Sequence, residues 1–279
     1  MRILSWNVQY GKSPDNSFDF IRTLDYIKSL GEFDIICLQE VARHMPDYCI
    51  QGQEDQLLLS QQSFPDYRLI WGSGFNWPSV TDNEFDRQEF GNLTLIKHGL
   101  LDYRVHQLPQ PATPGKLQMP RVAIEACIDS SIGPLSIINT HLAFHDSNET
   151  QLQLEHFTHL EQERVAHHQY PKAYCPGCFH NGYLASARIL CGDYNFDPQS
   201  THYQYQTDCG WMDAWKQGST DEPHPSTCGV FDTIQWTQGG HCRDYFWLSN
   251  EFASYKINVS ADSTASLSDH QPIILEIDV

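Results

Sequence analysis

Asp193 and Asn195 stand two residues apart at the end of an apolar run, Ile189-Leu190-Cys191-Gly192, and Pro198 closes the segment. An apolar run that ends in Gly-Asp reads as a buried strand delivering a carboxylate to a sheet edge, where α/β proteins build their sites. If strand pairing persists, alternation puts Asp193 and Asn195 on the same side. A carboxylate beside a carboxamide can hold a metal or a water and also donate to an anion. Other strand ends carry similar groups: Asn7, Glu40, His141, Asp244, and the pair Asp269-His270. One polar strand end only marks where a strand leaves the core. A set made solely of Asn, Asp, Glu and His, without Lys, suits one divalent cation and proton transfers. Hard cations such as Mg²⁺ take carboxylate oxygens, and a carboxylate beside an imidazole orients it and selects its tautomer.

These residues need elements to position them. Arg2 to Gln9 reads as a strand, and Phe18 to Leu30 as a helix with Gly31 as its C-cap. Asp34 to Val41 reads as a second buried strand, so the opening strand, helix, strand predicts a layered α/β architecture. Helices are expected over 54–62 and 148–169, and a strand over 67–71. The polar, aromatic stretch from Gly72 to Phe90 reads as a long surface loop. Strands over 92–97, 101–107, 122–129 and 135–140 follow with short connections, which suggests antiparallel pairing. After a loop-rich stretch from Trp215 to Arg243, three closing strands are expected over 245–248, 255–261 and 273–279. No repeat or linker divides the chain, which reads as one domain over 1–279 with an insertion over 171–183.

Composition narrows the class. The chain of 279 residues is 40% hydrophobic and 12% aromatic, as in an ordinary folded protein. Its 35 acids against 17 bases give a net charge of -18, which disfavours a non-specific nucleic-acid coat but not an enzyme that meets phosphates through a cation. The nine cysteines are scattered, several within apolar runs, so a disulfide framework is not expected. Neither a signal peptide nor a transmembrane run is read, and the expected location is cytoplasmic.

Six segments, in order, then carry a resemblance: Ser5-Trp6-Asn7-Val8, Leu38-Gln39-Glu40-Val41, Asn139-Thr140-His141-Leu142, Gly192-Asp193-Tyr194-Asn195, Arg243-Asp244-Tyr245-Phe246 and Ser268-Asp269-His270-Gln271-Pro272. The sequence resembles the endonuclease/exonuclease/phosphatase superfamily, metal-dependent phosphohydrolases related to deoxyribonuclease I. It is most similar to bacterial members described only at superfamily level, which share segments like Met119-Pro120-Arg121-Val122-Ala123 and Phe90-Gly91-Asn92-Leu93. The resemblance implies an α/β four-layer sandwich, two facing mixed β-sheets flanked by helices, with the site at one edge. It implies Glu40 as the principal metal ligand, helped by Asn7 and Asp269, for Mg²⁺ or Mn²⁺. Asp193 resembles the residue that aims water, Asn195 and His141 the phosphate contacts, and Asp244 with His270 the Asp-His pair. Tyr194 stands where the family usually has Phe, and Cys242-Arg243 replaces its basic-then-aliphatic lead into the Asp.

The expected activity is hydrolysis of phosphate esters, foremost as a phosphodiesterase. The alternatives are a phosphomonoesterase on a small substrate, a nuclease, or a non-catalytic binding protein that kept the fold. The expected partner is a phosphate-ester substrate; nucleic acid is disfavoured by the charge, and no partner protein is inferred. Arg121 is expected to grip a phosphate oxygen with its forked donors. Asn92 either lines the cleft or sits in a turn. Cys175 and Cys178 read as a proline-glycine turn with free thiols rather than half of a zinc site. Trp71, Phe75 and Trp77 read as aromatics capping the core edge, with stacking on a base or sugar as the alternative.

Overall fold

The computed structural model describes residues 1–79, 87–171, 173, 184–218 and 222–278. Its strands form two six-stranded sheets. The first contains β1 (Arg2–Asn7), β2 (Ile35–Arg43), β3 (Arg68–Pro78), β4 (Arg87–Ile96), β11 (Ile257–Ala261) and β12 (Ile273–Ile277), in the order β11-β12-β1-β2-β4-β3. The second contains β5 (Leu100–Gln107), β6 (Val122–Ile128), β7 (Leu135–His141), β8 (Ala187–Asp193), β9 (Met212–Asp213) and β10 (Asp244–Leu248), in the order β5-β6-β7-β8-β10-β9.

Each sheet has one parallel pair, β1 with β2 and β7 with β8, among antiparallel neighbours. Parallel pairing requires a crossover. Helix α1 (Phe20–Ser29) supplies the first and α3 (Ser147–Gln169) the second. Asp19 and Asp146 cap their N-termini, accepting from the backbone N–H groups of Arg22 and Asn148. Gly31, as expected, follows α1 in the left-handed region at φ 103 and bonds back to Lys28.

The strands read as continuous apolar runs because both faces are buried. Ile3, Ile35, Cys37, Ile137, Ile189 and Leu275 point between the sheets. Their neighbours Leu4, Ile36 and Leu38 pack outward with Leu24 and Ile27 of α1, and Ile138 and Leu190 pack outward with Leu154 and Phe157 of α3. The result is four layers: helix, sheet, sheet, helix. No described helix is long and apolar enough to cross a membrane.

Within the expected loop from Gly72 to Phe90, the described residues up to Pro78 and from Arg87 are instead the outer part of a long two-stranded arm, with β3 and β4 paired from Arg68↔Ile96 out to Pro78↔Arg87; residues 80–86 lie outside the described residues. Gly72, Gly74 and Gly91 interrupt the alternation that marks strands. They are there for close approach: a Cβ on Gly91 would strike the Gly72 carbonyl. Two helices and a short strand also emerge from the stretch around 201–218, namely α4 (Thr201–Asp208), β9 and α5 (Ala214–Gly218). The Cys175 and Cys178 segment lies outside the described residues.

Candidate active site

Strand direction gathers the polar strand ends. The parallel strands β1, β2, β7 and β8 run the same way within their pairs; Asn7, His141 and Asp193 end β1, β7 and β8, and Glu40 lies in the last half of β2. Strands β10 and β12 run antiparallel to β8 and β1, so they begin where those strands end. Asp244 sits opposite Asp193 in register, and Asp269-His270 lie in the loop entering β12.

Glu40 departs from strand geometry. The β2–β4 pairing slips between Leu38 and Val41, and Glu40 adopts φ 57. A bulge of this kind re-aims a side chain at the cost of a ladder bond. The Asn7 amide N–H group donates to Glu40 Oε1 (3.2 Å) and to Asp193 Oδ2 (3.0 Å). Its Oδ1 accepts from the Gln9 backbone N–H (3.1 Å). Asn7 therefore faces both carboxylates as a donor.

On the other side, Asp244 Oδ2 and His270 Nδ1 are 2.8 Å apart, and His270 Nε2 lies 3.5 Å from Asp193 Oδ2. One ligand atom each from Asp193, Asp244 and His270 falls within 4.8 Å of the others. An imidazolium between two carboxylates accounts for that cluster. Burial pulls the His270 pKa down, but Asp244, Asp193 and Asp269 outweigh it and hold the imidazole well above its ordinary range. His141 has the opposite environment. Its Nδ1 meets the Arg121 guanidinium (3.2 Å), and its Nε2 meets the Asn195 amide (3.0 Å) and Asp193 Oδ2 (3.3 Å). Burial, then Arg121 and His270, push His141 well below its ordinary range, so it is neutral. Two histidines of one site are thus set to opposite charge states by their surroundings.

The carboxylates are strained electrostatically. Burial and then Asp269 raise Glu40 to about 7, against the pull of Arg121, Asn7 and His270. Burial raises Asp193 to about 6, with Asp244 adding to it and His270, Asn7 and the Asn195 N–H opposing. Repulsion between Glu40 and Asp269, both oxygen donors, is the condition a divalent cation relieves, and a hard ion such as Mg²⁺ fits this donor set. Asp269 is held by weak donors, Ser268 Oγ, Gln235 Nε2 and Trp236 Nε1, at 3.3–3.4 Å.

The remaining expected residues are placed as follows. Asn195 follows β8 at φ 56, so it is not part of the strand. Its amide bonds Leu142 O (2.9 Å) as well as His141, and Asp193 Oδ1 accepts from its backbone N–H. Arg121 is buried beside His141. Asn92 is not in a turn: it is buried in β4 and donates to Val122 O (2.8 Å), next in the chain to Arg121. Trp71 packs against the core cluster under α1, whereas Phe75 and Trp77 lie farther out on the hairpin arm.

Three residues of the site had no assigned role in the sequence. Gln39 Nε2 donates to Asn139 Oδ1 (2.8 Å), and Asn139 Nδ2 donates to Leu38 O, Leu93 O and Thr94 Oγ1. This buried link ties the two sheets together behind Glu40 and His141. Two amides inside apolar strands were the available signal. Thr227 lies in the long loop before β10. Its hydroxyl donates to Asp244 Oδ2 (2.6 Å) and accepts from the backbone N–H groups of Arg243 and Asp244. Nothing in its loop sequence marks it.

The model of the endonuclease/exonuclease/phosphatase family matches residues 4–270. Among solved structures, an endonuclease/exonuclease/phosphatase from Beutenbergia cavernae is 16% identical with a TM-score of 0.72, covering 100% of this chain and 71% of that one. The mannosyl-6-phosphatase of Bacteroides thetaiotaomicron is 16% identical with a TM-score of 0.69, covering 100% of both chains. The human Nocturnin catalytic domain is 20% identical with a TM-score of 0.60, covering 100% of this chain and 94% of that one. At these identities the likeness concerns the fold. No curated protein sequence matches the chain.

Proposed function

Because the chain belongs to the endonuclease/exonuclease/phosphatase family, we propose that it is a divalent-metal-dependent hydrolase of phosphate esters, and specifically a phosphodiesterase. The observation that carries this reading is the charge pattern at the sheet edge. A repelling pair of oxygen donors, Glu40 and Asp269, lies beside Asp193, a charged His270 and a neutral His141. Phosphoryl transfer needs an in-line nucleophile and neutralised oxygens, and little covalent chemistry from the protein.

Glu40 and Asp269 would hold Mg²⁺ or Mn²⁺, with Asn7 orienting Glu40 through its amide donor. When bound, the ion supplies positive charge against a phosphoryl oxygen. Asp193, raised to about 6, is a carboxylate basic enough to take a proton from water as that water attacks phosphorus. His270, fixed by Asp244, turns its Nε2 edge toward Asp193 and the reacting centre. Arg121, neutral His141 and Asn195 form the donor side that meets the remaining phosphate oxygens.

The test is hydrolysis of bis-p-nitrophenyl phosphate with Mg²⁺, Mn²⁺ or chelator. The wild type should turn over only with metal. Glu40→Ala and His270→Ala should each lose at least about a hundredfold in kcat, the scale of a removed charge stabiliser. Wild-type rates in either variant would overturn the assignment. Silence of the wild type on both diesters and p-nitrophenyl phosphate would favour a binding protein that kept the fold.

A further inference from the structure

A second aspartate–histidine pair lies close to the first. Asp213 ends β9, and His224 lies in the loop that leads to Thr227. His224 Nε2 bonds Asp213 Oδ2, which also accepts from the Tyr203 hydroxyl of α4 (2.7 Å). Asp213 Oδ1 accepts from the Trp215 backbone N–H (2.9 Å). Both side chains of the pair are buried. Between this pair and Asp244 lies a cavity of about 20 Å³, whose lining includes Asp213, His224, Cys242, Asp244, Phe246 and Val259. One water takes up about 10–15 Å³ of such space, so the cavity has room for a single molecule.

Asp244 has an unmet need on that side. Its Oδ2 is taken by His270 Nδ1 (2.8 Å) and the Thr227 hydroxyl (2.6 Å). Its Oδ1 is buried and has no hydrogen-bond partner among the described residues. The residue as a whole is 4% exposed, so bulk solvent does not serve it. Burying a carboxylate oxygen without a hydrogen bond is costly. A cation does not suit the place, because three donors already converge on Asp213 and leave it one lone-pair site. A water needs no more than that, and a polar cavity of this size admits one.

We infer that the cavity is the site of one structural water, which donates to Asp244 Oδ1 and is held on its other side by the Asp213–His224 pair. Asp213 takes the Nε2–H of His224, and this tautomer leaves the Nδ1 lone pair to accept the second O–H of the water. His224 is then a positioning residue. It fixes the water, the water and Thr227 together fix the plane of the Asp244 carboxylate, and Asp244 fixes the His270 ring. The effect on turnover rests on the reading of His270 as part of a phosphoesterase centre; the water site itself does not. Water-mediated bonds of this kind are nearly as good as direct ones, so a buried water completes Asp244 where no side chain reaches it.

A high-resolution crystal structure of the wild type tests the site directly. A water within about 3.2 Å of both Asp244 Oδ1 and His224 Nδ1 is expected. A dry cavity, or a water bonded to Asp244 alone, would overturn the inference. Two variants test the consequence by different routes. His224→Gln keeps a donor for Asp213 and loses the nitrogen that holds the water, whereas Val259→Ile adds a methylene to the cavity wall from β11. Crystal structures of both should show the water gone and the Asp244 carboxylate rotated. On bis-p-nitrophenyl phosphate with Mg²⁺, kcat should fall about tenfold in each with KM within about twofold, the usual effect of losing such a support. Val259→Ile leaves the polar pair intact, so it keeps the comparison valid should His224→Gln fold poorly. An unmoved Asp244 and wild-type kcat in a variant that has lost the water would overturn the positioning role. A water bonded as expected in a protein that hydrolyses no phosphate ester would support the site and overturn the catalytic reading.

Discussion

Asp244 illustrates how much of a site resides in one neighbour. Its Oδ2 takes the His270 Nδ1–H and the Thr227 hydroxyl together, and Thr227 is itself fixed by two backbone N–H donors. Thr227 is thus a positioning residue for the Asp-His pair. Thr227→Val removes the hydroxyl with little change of volume, and kcat on a chromogenic diester should fall about 10–100-fold, the usual effect of losing such a support. Thr227→Ser should restore most of the rate. Equal rates in the valine and serine variants would show that the hydroxyl is irrelevant. The same logic separates the two histidines. Their pKa values move in opposite directions for reasons of surroundings and not of residue type: burial and then Arg121 and His270 push His141 down, whereas Asp244, Asp193 and Asp269 overcome burial and push His270 up.

At the scale of elements, the site is a consequence of strand direction and one bulge. Glu40 reaches the edge because the β2–β4 ladder slips beside it. Behind it, the Gln39–Asn139 link joins the facing sheets where apolar packing alone would let them slide. Asn139→Leu would leave Leu38 O, Leu93 O and the Gln39 amide buried without this partner. Stability should drop by on the order of 3 kcal/mol, given about 1–3 kcal/mol for each buried group left unpaired. Urea unfolding measures it, and a loss below about 1 kcal/mol would mean the link is dispensable. The hairpin arm of β3 and β4 was hidden in the sequence because its glycines and polar residues break the alternation. Its pairing is decided by backbone approach between Gly72 and Gly91.

For the whole molecule, folding should be linked both to metal and to pH. If Glu40 and Asp269 bind Mg²⁺ in the folded state alone, saturating ion at about a hundred times Kd adds about 2.7 kcal/mol. The melting temperature should rise with Mg²⁺ in the wild type and not in Glu40→Ala; an unchanged rise in the variant would move the metal elsewhere. Glu125 sets a pH dependence on the second sheet. Burial pushes its carboxyl up, but the His106 hydrogen bond, the Arg104 and His106 charges and the Ser136 hydroxyl prevail and hold it below its ordinary value. A depressed folded pKa contributes stability above the unfolded pKa of about 4.3, and that stability is lost as pH falls through the folded value. Glu125→Gln should therefore melt below the wild type near neutral pH, with the gap closing under about pH 4. A gap that stays constant with pH would remove Glu125 from this role.

The sequence by itself determined the layers. Apolar runs, helical stripes and the strand-helix-strand opening follow from burial and periodicity, which are local in the chain, and they point to a layered α/β domain with polar strand ends; the four-layer sandwich came from the family resemblance. It also supplied the residue types at those ends, from Asn7 to His270. Tertiary structure alone decided how those ends meet, because their contacts join residues far apart in the chain, 186 residues for Asn7 and Asp193. Strand order and direction bring such groups within hydrogen-bond reach, and only then do their charges perturb one another. The Thr227 support, the Glu40 bulge, the Asn92 bond into the neighbouring sheet and the cavity between Asp244 and the Asp213–His224 pair belong to the same class. Each depends on contacts between segments that no local pattern in the chain records.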